Sequence, residues 1–421
     1  MKAKEPGRRR FLKEGAVLAL LSQGAGGLAG LAVGAIRSAS GQTLVSEIRE
    51  IPEIPPGISN YGERSRFENS ARTGAHTPFQ DSVGIITPAA LHFVNNHGFA
   101  APEIDPRQHR LMIHGLVDRP LIFTVEELKR LPSVSRIHFI ECAGNSAPAE
   151  TGNAQSVQQT HGFMSCSEWT GVPLAVLLKE AGVQKGASWL VAEGTDANKH
   201  SKSIPLEKAL EDVLVAYGQN GEAVRPDQGY PLRLVVPGWE GISNVKWLRR
   251  IKLVDQPYMA KMESMAYTVL WPKLEGKSRW FNFEMGPKSV ITRPSGGQRL
   301  PSRGFYEITG LAWSGWGAIR RVEVSTDGGR TWKDAELQEP VLRMAHTRFR
   351  FPWTWDGEEA VLQSRSTDEQ GQVQPTTAEI GRMWGVNAEF FQSTKTRVNH
   401  FNPIQPWKVT RDGSVHNALF S

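Results

Sequence analysis

A chain of 421 residues, of which 39% are hydrophobic and 22% charged, is long enough for two or three domains and has ordinary globular composition. The formal net charge is +6, but residues 1–40 carry seven basic and two acidic side chains and so contribute +5 of it. The remaining charge of about +1 excludes a strongly basic body and gives no reason to expect nucleic-acid binding.

The N-terminus carries a basic run followed by an apolar stretch. Gly7-Arg8-Arg9-Arg10-Phe11-Leu12-Lys13 precedes a Gly- and Ala-rich stretch over residues 16–36 and small residues at 38–41. This pattern resembles a twin-arginine export signal, so we expect residues 1–41 to be a signal peptide of a folded, exported, periplasmic protein. The alternative is a transmembrane anchor, because the stretch is long enough to span a bilayer, although five glycines dilute it.

The sequence pattern changes between residues 42–80 and residues 81–285. The first stretch is rich in Pro, Gly, Ser and Arg and predicts an extended N-terminal arm over the body of the protein. In the second, strand-like runs alternate with helical apolar spacing; the strands are expected at 111–114 and 136–140, and the helices at 124–130, 174–181 and 205–210. This order predicts an α+β domain over residues 81–285.

From residue 286 to residue 390 the pattern is β only. Strand-like runs lie at 306–313, 319–325 and 360–366, and Asp327-Gly328-Gly329 is typical of a hairpin turn. We therefore expect an all-β, immunoglobulin-like domain over residues 286–390. Residues 391–421 are irregular in pattern and predict a C-terminal tail that extends toward a partner.

The sequence has only two cysteines, Cys142 and Cys166. Their spacing matches no disulfide framework, and the lack of a paired C-x-x-C or an H-E-x-x-H argues against structural zinc or a zincin. Without C-x-x-C-H we expect no haem of the c type on this chain. Cys142 ends an apolar run and precedes Ala143-Gly144-Asn145, where the chain can turn. A thiolate there can bind a soft metal, and the alternative is a small buried hydrophobe.

Four ordered motifs resemble those of the sulfite oxidase family of molybdenum-pterin enzymes. They are Val94-Asn95-Asn96-His97-Gly98, Cys142-Ala143-Gly144-Asn145, the segment YPLRLVVPG at 230–238, and Val245-Lys246-Trp247-Leu248. The resemblance implies a molybdopterin-binding oxidoreductase domain followed by a dimerisation domain, and hence a homodimer. It also implies a molybdenum–molybdopterin cofactor whose metal is bound by Cys142.

The resemblance further implies which side chains hold the cofactor. Arg233 and Lys246 fall at cofactor positions, where a planar fork and a point charge suit a phosphate; without the family each would be a solvated surface cation. Tyr217 matches a tyrosine beside the oxygen ligand of the metal, and its alternative is a Tyr packed at a strand end. The other expected cofactor contacts are Asn95, Asn96, His97, Asp196, Gln228, Ser243 and Asn244, with Gln228 standing where the family usually has His.

Three positions depart from the family in a way that bears on the substrate. Sulfite oxidases have arginines where this chain has Asn95, Ser146 and Ala147, and those cations help to hold a small dianion. Because charge-assisted hydrogen bonds are worth about 1.5 to 3 kcal/mol each, their loss predicts weak binding of free sulfite. A less charged sulfur group fits better. The match near Arg348 and Arg350 is blurred, so the sequence leaves open whether either cation enters the site.

With the export signal, these departures resemble one branch of the family, the molybdenum subunits (SoxC) of sulfane dehydrogenases in bacterial thiosulfate oxidation. The substrate is then a sulfane sulfur on a sulfur-carrier protein, and the electron acceptor is a c-type cytochrome subunit. Two alternatives stay open at this point. One is a direct sulfite:cytochrome c dehydrogenase, and the other is a scaffold that keeps the fold without molybdenum.

Overall fold

The computed structural model describes residues 63, 65, 75–147, 154–260, 262–270, 279–393 and 400–420. The expected signal peptide at 1–41 and most of the expected arm at 42–80 lie outside these residues. Residues 70–421 form one unit of the chain and hold every described element of secondary structure. Among the described helices, none has both the length and the apolar character needed to span a bilayer.

The first part of the fold mixes short strands with short helices, as the α+β prediction requires. The helices are α1 Val125–Lys129, α2 Val157–His161, α3 Leu174–Ala181 and α4 Leu206–Glu211. The strands are β1 Arg110–Gly115, β2 Leu121–Thr124, β3 Val134–Glu141, β4 Met164–Pro173, β5 Trp189–Gly194, β6 Ser201–Pro205, β7 Leu214–Gln219, β8 Glu222–Ala223, β9 Arg233–Val235 and β10 Leu248–Val254.

Two sheets organise these strands. The first has the order β2-β1-β10-β5-β6, in which β1 and β10 are parallel and the other pairs are antiparallel. The second has the order β3-β4-β7-β8, with β9 also pairing β7 in antiparallel fashion. The helix α1 begins at a capping box in which Thr124 and Glu127 bond each other's backbone N–H.

Strand alternation in β3 decides where the side chains around Cys142 point. Phe139 belongs to the apolar core shared with the C-terminal domain, whereas Ile140 belongs to a separate cluster against which Cys142 packs. Because neighbouring residues of a strand face opposite sides of the sheet, Glu141 points with Phe139 and Cys142 points with Ile140. One strand end therefore serves both the C-terminal domain and a cavity on the other face.

The C-terminal domain is a pair of antiparallel sheets around one core, preceded by the short ribbon of β11 Thr268–Leu270 and β12 Arg279–Phe281. One sheet has the order β13-β14-β18-β17 and the other β16-β15-β19-β20-β21. Their strands are β13 Lys288–Arg293, β14 Gly304–Trp313, β15 Ile319–Ser325, β16 Lys333–Asp334, β17 Glu336–Gln338, β18 Thr347–Trp355, β19 Ala360–Asp368, β20 Trp407–Val409 and β21 Val415–Asn417. The expected β fold of this domain is therefore confirmed, although residues 377–384, inside the range expected to be all-β, form a helix.

The end of the chain corrects one expectation. The expected hairpin at Asp327 is present, since β15 and β16 pair on either side of it. The expected irregular tail is wrong, because β20 and β21 extend the second sheet and Trp407 is fully buried. Burial of that indole outweighs the weak strand pattern of its neighbours. Two helices, α5 Thr377–Trp384 and α6 Ala388–Ser393, precede these strands.

Candidate functional site

A cleft lies at the end of β3, and Cys142 is one of the residues that line it. Most of the side chains expected to bind a cofactor line it. They are Asn95, Asn96, His97, Cys142, Asp196, Gln228, Arg233, Asn244 and Lys246. The structure thus brings together nine residues that are far apart in the sequence, six of which belong to the four motifs.

Lys246 joins two of these motifs. Its Nζ donates to Oδ1 of Asn96 at 2.6 Å, to the backbone oxygen of Asn95 at 3.1 Å and to the backbone oxygen of Asp227 at 2.8 Å. Burial, and next the Arg233 guanidinium, lower the pKa of Lys246 to about 7. An ammonium held with neutral acceptors beside another cation is poorly stabilised, so the cavity favours an anion there.

Arg233 lines the same cleft and is almost fully buried, with 1% of its surface exposed. Its guanidinium donates to the backbone oxygens of Gln228 at 2.9 Å and Asn244 at 3.3 Å, and it lies 4.6 Å from the ring centre of Trp169. Its Nε has no hydrogen-bond partner among the described residues, and no described carboxylate pairs with it. Burial lowers the pKa of Arg233 to about 9. A buried cation without a counter-ion is costly unless a ligand supplies one.

Cys142 is half-buried and begins the tight turn after β3. Its backbone N–H donates to Phe163 and its carbonyl accepts from Asn145, both at 2.9 Å. Nδ2 of Asn95 donates to its Sγ at 3.5 Å. Gly241 lies against this turn, since a Cβ there would be 2.9 Å from the oxygen of Glu141. Cys142 and Cys166 are not joined in a disulfide, as expected.

The remaining wall of the cleft holds a cluster of ring and carboxylate groups. Nδ1 of His97 lies 3.3 Å from the phenol oxygen of Tyr267, and its ring centre is 5.7 Å from that of His200. Asp196 accepts from the backbone N–H of His200 at 3.0 Å. His200 Nε2 contacts the oxygen of Ile242 at 2.9 Å. This wall offers donors and acceptors that suit the polar edge of a planar ring system.

Two expected site residues lie outside the cleft. Tyr217 packs with the core between the first sheet and its helices, because Val215 and Tyr217 face that core while Ala216 faces the Cys142 side. The alternation of strand β7 turns the Tyr217 ring away from the lining of the cleft, and its expected place beside the metal stays a prediction. Ser243 is fully buried between the lining residues Ile242 and Asn244, and its Oγ has no hydrogen-bond partner among the described residues.

Sequence reasoning missed five polar or aromatic side chains that line the cleft, namely His92, Phe93, His200, Trp247 and Tyr267. Tyr267 supplies a phenol to the cavity, the chemical function expected of Tyr217. It follows a short π-helical turn at Met262–Ala266, and it packs with Ala143 directly after Cys142. No regular periodicity marks this segment, so its neighbours in the sequence gave no indication of the role.

Models of known families match both parts of the chain. Residues 97–262 match the oxidoreductase molybdopterin binding domain, and residues 279–398 match the Mo-co oxidoreductase dimerisation domain. The crystal structure of the sulfane dehydrogenase SoxCD from Paracoccus pantotrophus superposes with a TM-score of 0.77 at 39% sequence identity, over 89% of this chain and 98% of that one. The chain belongs to the sulfite oxidase family. The family resemblance expected from the four motifs is thereby confirmed.

Curated relatives in this family include plant nitrate reductases. The NADH nitrate reductase of Solanum lycopersicum is 34% identical over 75% of this chain, and nitrate reductase 1 of Arabidopsis thaliana is 35% identical over 65% of it. The chain spans only 40% and 33% of the length of these two proteins. Their whole-protein activity therefore does not carry over.

The residues present fit the molybdopterin that the family model names. An anionic, phosphate-bearing group would meet the buried Arg233 with its unpartnered Nε, and also Lys246. Cys142 offers the soft sulfur ligand, and no group of three or more described His, Cys, Asp or Glu residues could bind a metal instead. When bound, the cofactor supplies oxygen-atom and electron-transfer chemistry, which protein side chains lack.

The three departures from sulfite oxidases have distinct structural outcomes. Asn95 lines the cleft and contacts Cys142. Ala147 is fully buried in an apolar cluster with Ile380, Phe391 and Phe401 from the C-terminal region. Ser146 is also buried, at a positive φ of 66°. Neither Asn95 nor the turn after Cys142, which contains Ser146 and Ala147, therefore brings a cation to the cleft.

The β domain does not replace the missing cations. Arg348 donates to the backbone oxygens of Gly84 at 2.8 Å and Ser82 at 3.2 Å. Arg350 pairs with Glu307 at 2.9 Å. Neither lines the cleft, which answers the question that the sequence left open.

Proposed function

We propose that this chain is the molybdenum subunit of a sulfane dehydrogenase in a periplasmic thiosulfate-oxidising (Sox) system. The single observation that carries the proposal is that Asn95 lines the cleft beside Cys142 where sulfite oxidases have an arginine, while the buried Ser146 and Ala147 bring no cation to the cleft. The match to the SoxCD crystal structure at 39% identity supports it. Cys142 is the proposed metal ligand, and Arg233 and Lys246 are the proposed anchors of the cofactor's anionic end.

The proposed substrate is a sulfane sulfur carried on a protein cysteine rather than free sulfite. Sulfite is a small dianion whose binding depends on charge-assisted hydrogen bonds worth about 1.5 to 3 kcal/mol each. Asn95 offers a neutral amide at the cleft, and its Nδ2 already contacts the Cys142 sulfur. A persulfide brings less charge, so it loses less by the absence of arginines.

The proposed assembly is a homodimer through the C-terminal domain, with a c-type cytochrome subunit as electron acceptor and a sulfur-carrier protein as substrate donor. Residues 279–398 match a dimerisation domain, which supports the proposed homodimer. The SoxCD match supports a second type of subunit. Residues 1–41 are the proposed twin-arginine signal that directs the folded, loaded protein to the periplasm.

The test is stopped-flow reduction of the molybdenum centre in the purified, loaded chain. We expect a persulfidated carrier peptide to reduce it quickly and millimolar sulfite to leave it oxidised. Fast reduction by sulfite would instead establish a direct sulfite dehydrogenase. Reoxidation of the dithionite-reduced protein by nitrate would favour a nitrate reductase activity like that of the plant relatives. A properly matured protein that contains no molybdenum would favour the alternative of a non-catalytic scaffold.

Restoring a cation at residue 95 tests whether the absence of an arginine there determines the choice of substrate. Asn95→Arg should raise the rate of reduction by free sulfite roughly ten- to hundredfold, the factor that one charge-assisted hydrogen bond supplies. Ile122→Arg is the matched control, because Ile122 is 60% exposed on β2 and does not line the cleft. It adds the same charge and should leave the rate unchanged. An Asn95→Arg protein that ignores sulfite would overturn the account of substrate choice.

A further inference from the structure

A fully buried ion pair lies directly behind the turn that carries Cys142. Glu141, the last residue of β3, and Lys288, the first residue of β13, both have 0% of their side-chain surface exposed, and their Oε1 and Nζ atoms are 2.7 Å apart. Lys288 Nζ also lies 3.4 Å from the backbone oxygen of Asn145, in the turn itself. The pair therefore connects the C-terminal domain to the segment that presents the thiol.

Three donors from three places in the fold converge on the Glu141 carboxylate. Besides Lys288, Nε1 of Trp313 in β14 donates to Oε2 at 2.7 Å, and Nδ2 of Asn145 donates to Oε1 at 2.8 Å. Lys288 in turn lies 5.9 Å from the Trp313 ring centre. Two of the three donors thus come from the C-terminal domain, and the third comes from the Cys142 turn.

Asn145 connects the Glu141 carboxylate to Cys142 through hydrogen bonds. Its backbone N–H donates to the Cys142 carbonyl at 2.9 Å, and its Oδ1 accepts from the backbone N–H of Phe163 at 3.1 Å. The carbonyl of Phe163 accepts in turn from the Cys142 N–H at 2.9 Å. Ser146 follows with a positive φ of 66°, an unfavourable conformation for a residue with a side chain, so the turn depends on its surroundings.

Stability alone does not account for charges at this place. Replacing a buried ion pair by apolar side chains of similar volume is often neutral or stabilising, because removing two charges from water is expensive. What an ion pair with additional hydrogen bonds provides is a defined geometry. Here the geometry it defines is that of the turn next to the thiol.

We propose that Glu141 and Lys288 are positioning residues through which the C-terminal domain fixes the direction of the Cys142 thiolate toward the cleft. The proposal rests on the proposed role of Cys142 as metal ligand. Glu141 holds the turn through Asn145, and Lys288 holds Glu141 from the β domain. The domain that the family uses for dimerisation thereby also shapes the metal's protein ligand.

The test compares the Lys288→Met variant with a control variant, Arg365→Met. Arg365 pairs with the mostly buried Glu323 at 2.7 Å within the second sheet of the same domain, away from Cys142. The first readout is the alkylation rate of Cys142 in full-length protein prepared without cofactor, located by mass spectrometry. Cys166, with 0% exposure, serves as the unreactive internal reference.

Lys288→Met should raise the Cys142 alkylation rate roughly three- to tenfold, the factor for losing one hydrogen bond that holds the turn. In cofactor-loaded protein it should shift the g values of the Mo(V) paramagnetic resonance spectrum while molybdenum is retained. Arg365→Met should change neither readout. Wild-type alkylation and a wild-type spectrum in folded Lys288→Met would overturn the proposal.

The double variant Glu141→Gln/Lys288→Met covers the case in which an unpaired buried Glu141 prevents folding. It removes both charges. Trp313 and Asn145 donate to different oxygens of Glu141, and one of these two positions becomes an NH₂ donor in glutamine, so at least one of the two hydrogen bonds is lost in the present geometry. We expect a folded protein with a shifted spectrum and faster alkylation. Wild-type values for both would again overturn the proposal. Both readouts are independent of the substrate, so they stand even if the sulfane assignment fails.

Discussion

Lys246 Nζ and Asn96 Oδ1 lie 2.6 Å apart although their residues are 150 positions apart in the chain. Asn96 in turn donates from Nδ2 to Asp227 at 3.0 Å. These contacts bring three distant segments together at one wall of the cleft. They also leave the Lys246 ammonium with neutral acceptors only, which makes its charge sensitive to what the cavity holds.

Anion binding to the cofactor-free protein should therefore depend on pH around 7. Burial and the neighbouring Arg233 lower the pKa of Lys246 to about 7, so the lysine is charged below that pH and increasingly neutral above it. A bound anion favours the charged form and raises the pKa, so affinity should fall as pH rises above 7, by up to roughly tenfold per pH unit. Calorimetry with sulfate, which does not titrate in this range, measures it.

The same lysine affects the stability of the cofactor-free protein. Its pKa is lower in the folded chain than in the unfolded chain, so the unfolded state binds more protons between pH 7 and the ordinary lysine pKa, and stability should rise with pH across that window. Lys246→Met should make this rise smaller, because the buried Lys202 and Lys288 also have a lowered pKa and still contribute to it, and should abolish the pH dependence of sulfate binding. Lys208→Met, which breaks a pair with Asp212 at 2.9 Å outside the cleft, should leave both in place.

Arg233→Met should stabilise the cofactor-free protein and prevent cofactor retention. Arg233 has no counter-ion among the described residues and, unlike Arg348, no partner for its Nε, so this buried cation opposes folding. Its removal also leaves the oxygens of Gln228 and Asn244 without a donor, so the net rise in the free energy of unfolding should be about 1 kcal/mol. Molybdenum content should fall sharply, because the phosphate loses its planar donor. Denaturant unfolding and metal analysis check the two effects.

Arg348→Met is the control for these effects on stability and on molybdenum content. Arg348 is 5% exposed and has two backbone carbonyls as acceptors outside the cleft, so its loss leaves those oxygens without a donor. It should lower stability while molybdenum stays bound. Two results together would refute the anchoring role of Arg233. They are a lower stability of Arg233→Met prepared without cofactor, and an unchanged molybdenum content of Arg233→Met prepared with cofactor.

A pair of tyrosine variants separates the expected residue from the one that the structure brings to the cleft. Tyr267→Phe should lower turnover, since it removes the phenol next to His97 at 3.3 Å. Tyr217→Phe should leave turnover within about twofold, because that ring packs in the core and the change removes only a hydroxyl. Steady-state kinetics with the carrier substrate decides. The reverse ranking would restore Tyr217 and contradict the packing described here.

The sequence was informative where a local pattern determines the outcome. The helix expected at 174–181 is α3 at the same bounds, and the strand expected at 319–325 is β15, because apolar spacing and burial agree there. The cofactor contacts followed from motifs in which residue type and spacing are tied to one chemistry. Arg233 and Lys246 accordingly line the cleft together.

The structural features that could not be predicted from the sequence depend on contacts between distant residues. Tyr217 packs in the core and Tyr267 lines the cleft, and no local pattern in the sequence reveals that difference. Strands β20 and β21 form because Trp407 enters the core of the sandwich, although their own sequence is irregular. The Glu141–Lys288 pair joins residues 147 positions apart, so neither sequence neighbourhood indicates it.

The most direct test of the account is X-ray absorption at the molybdenum edge, on wild-type protein and on Cys142→Ser prepared in parallel with Cys166→Ser. We predict one fewer sulfur neighbour of molybdenum in Cys142→Ser, with activity lost and the fold kept. Cys166→Ser should keep every sulfur neighbour, while a buried hydroxyl in place of the fully buried thiol costs about 1 to 3 kcal/mol of stability. An unchanged sulfur count in Cys142→Ser would contradict the assignment of Cys142 as the metal ligand.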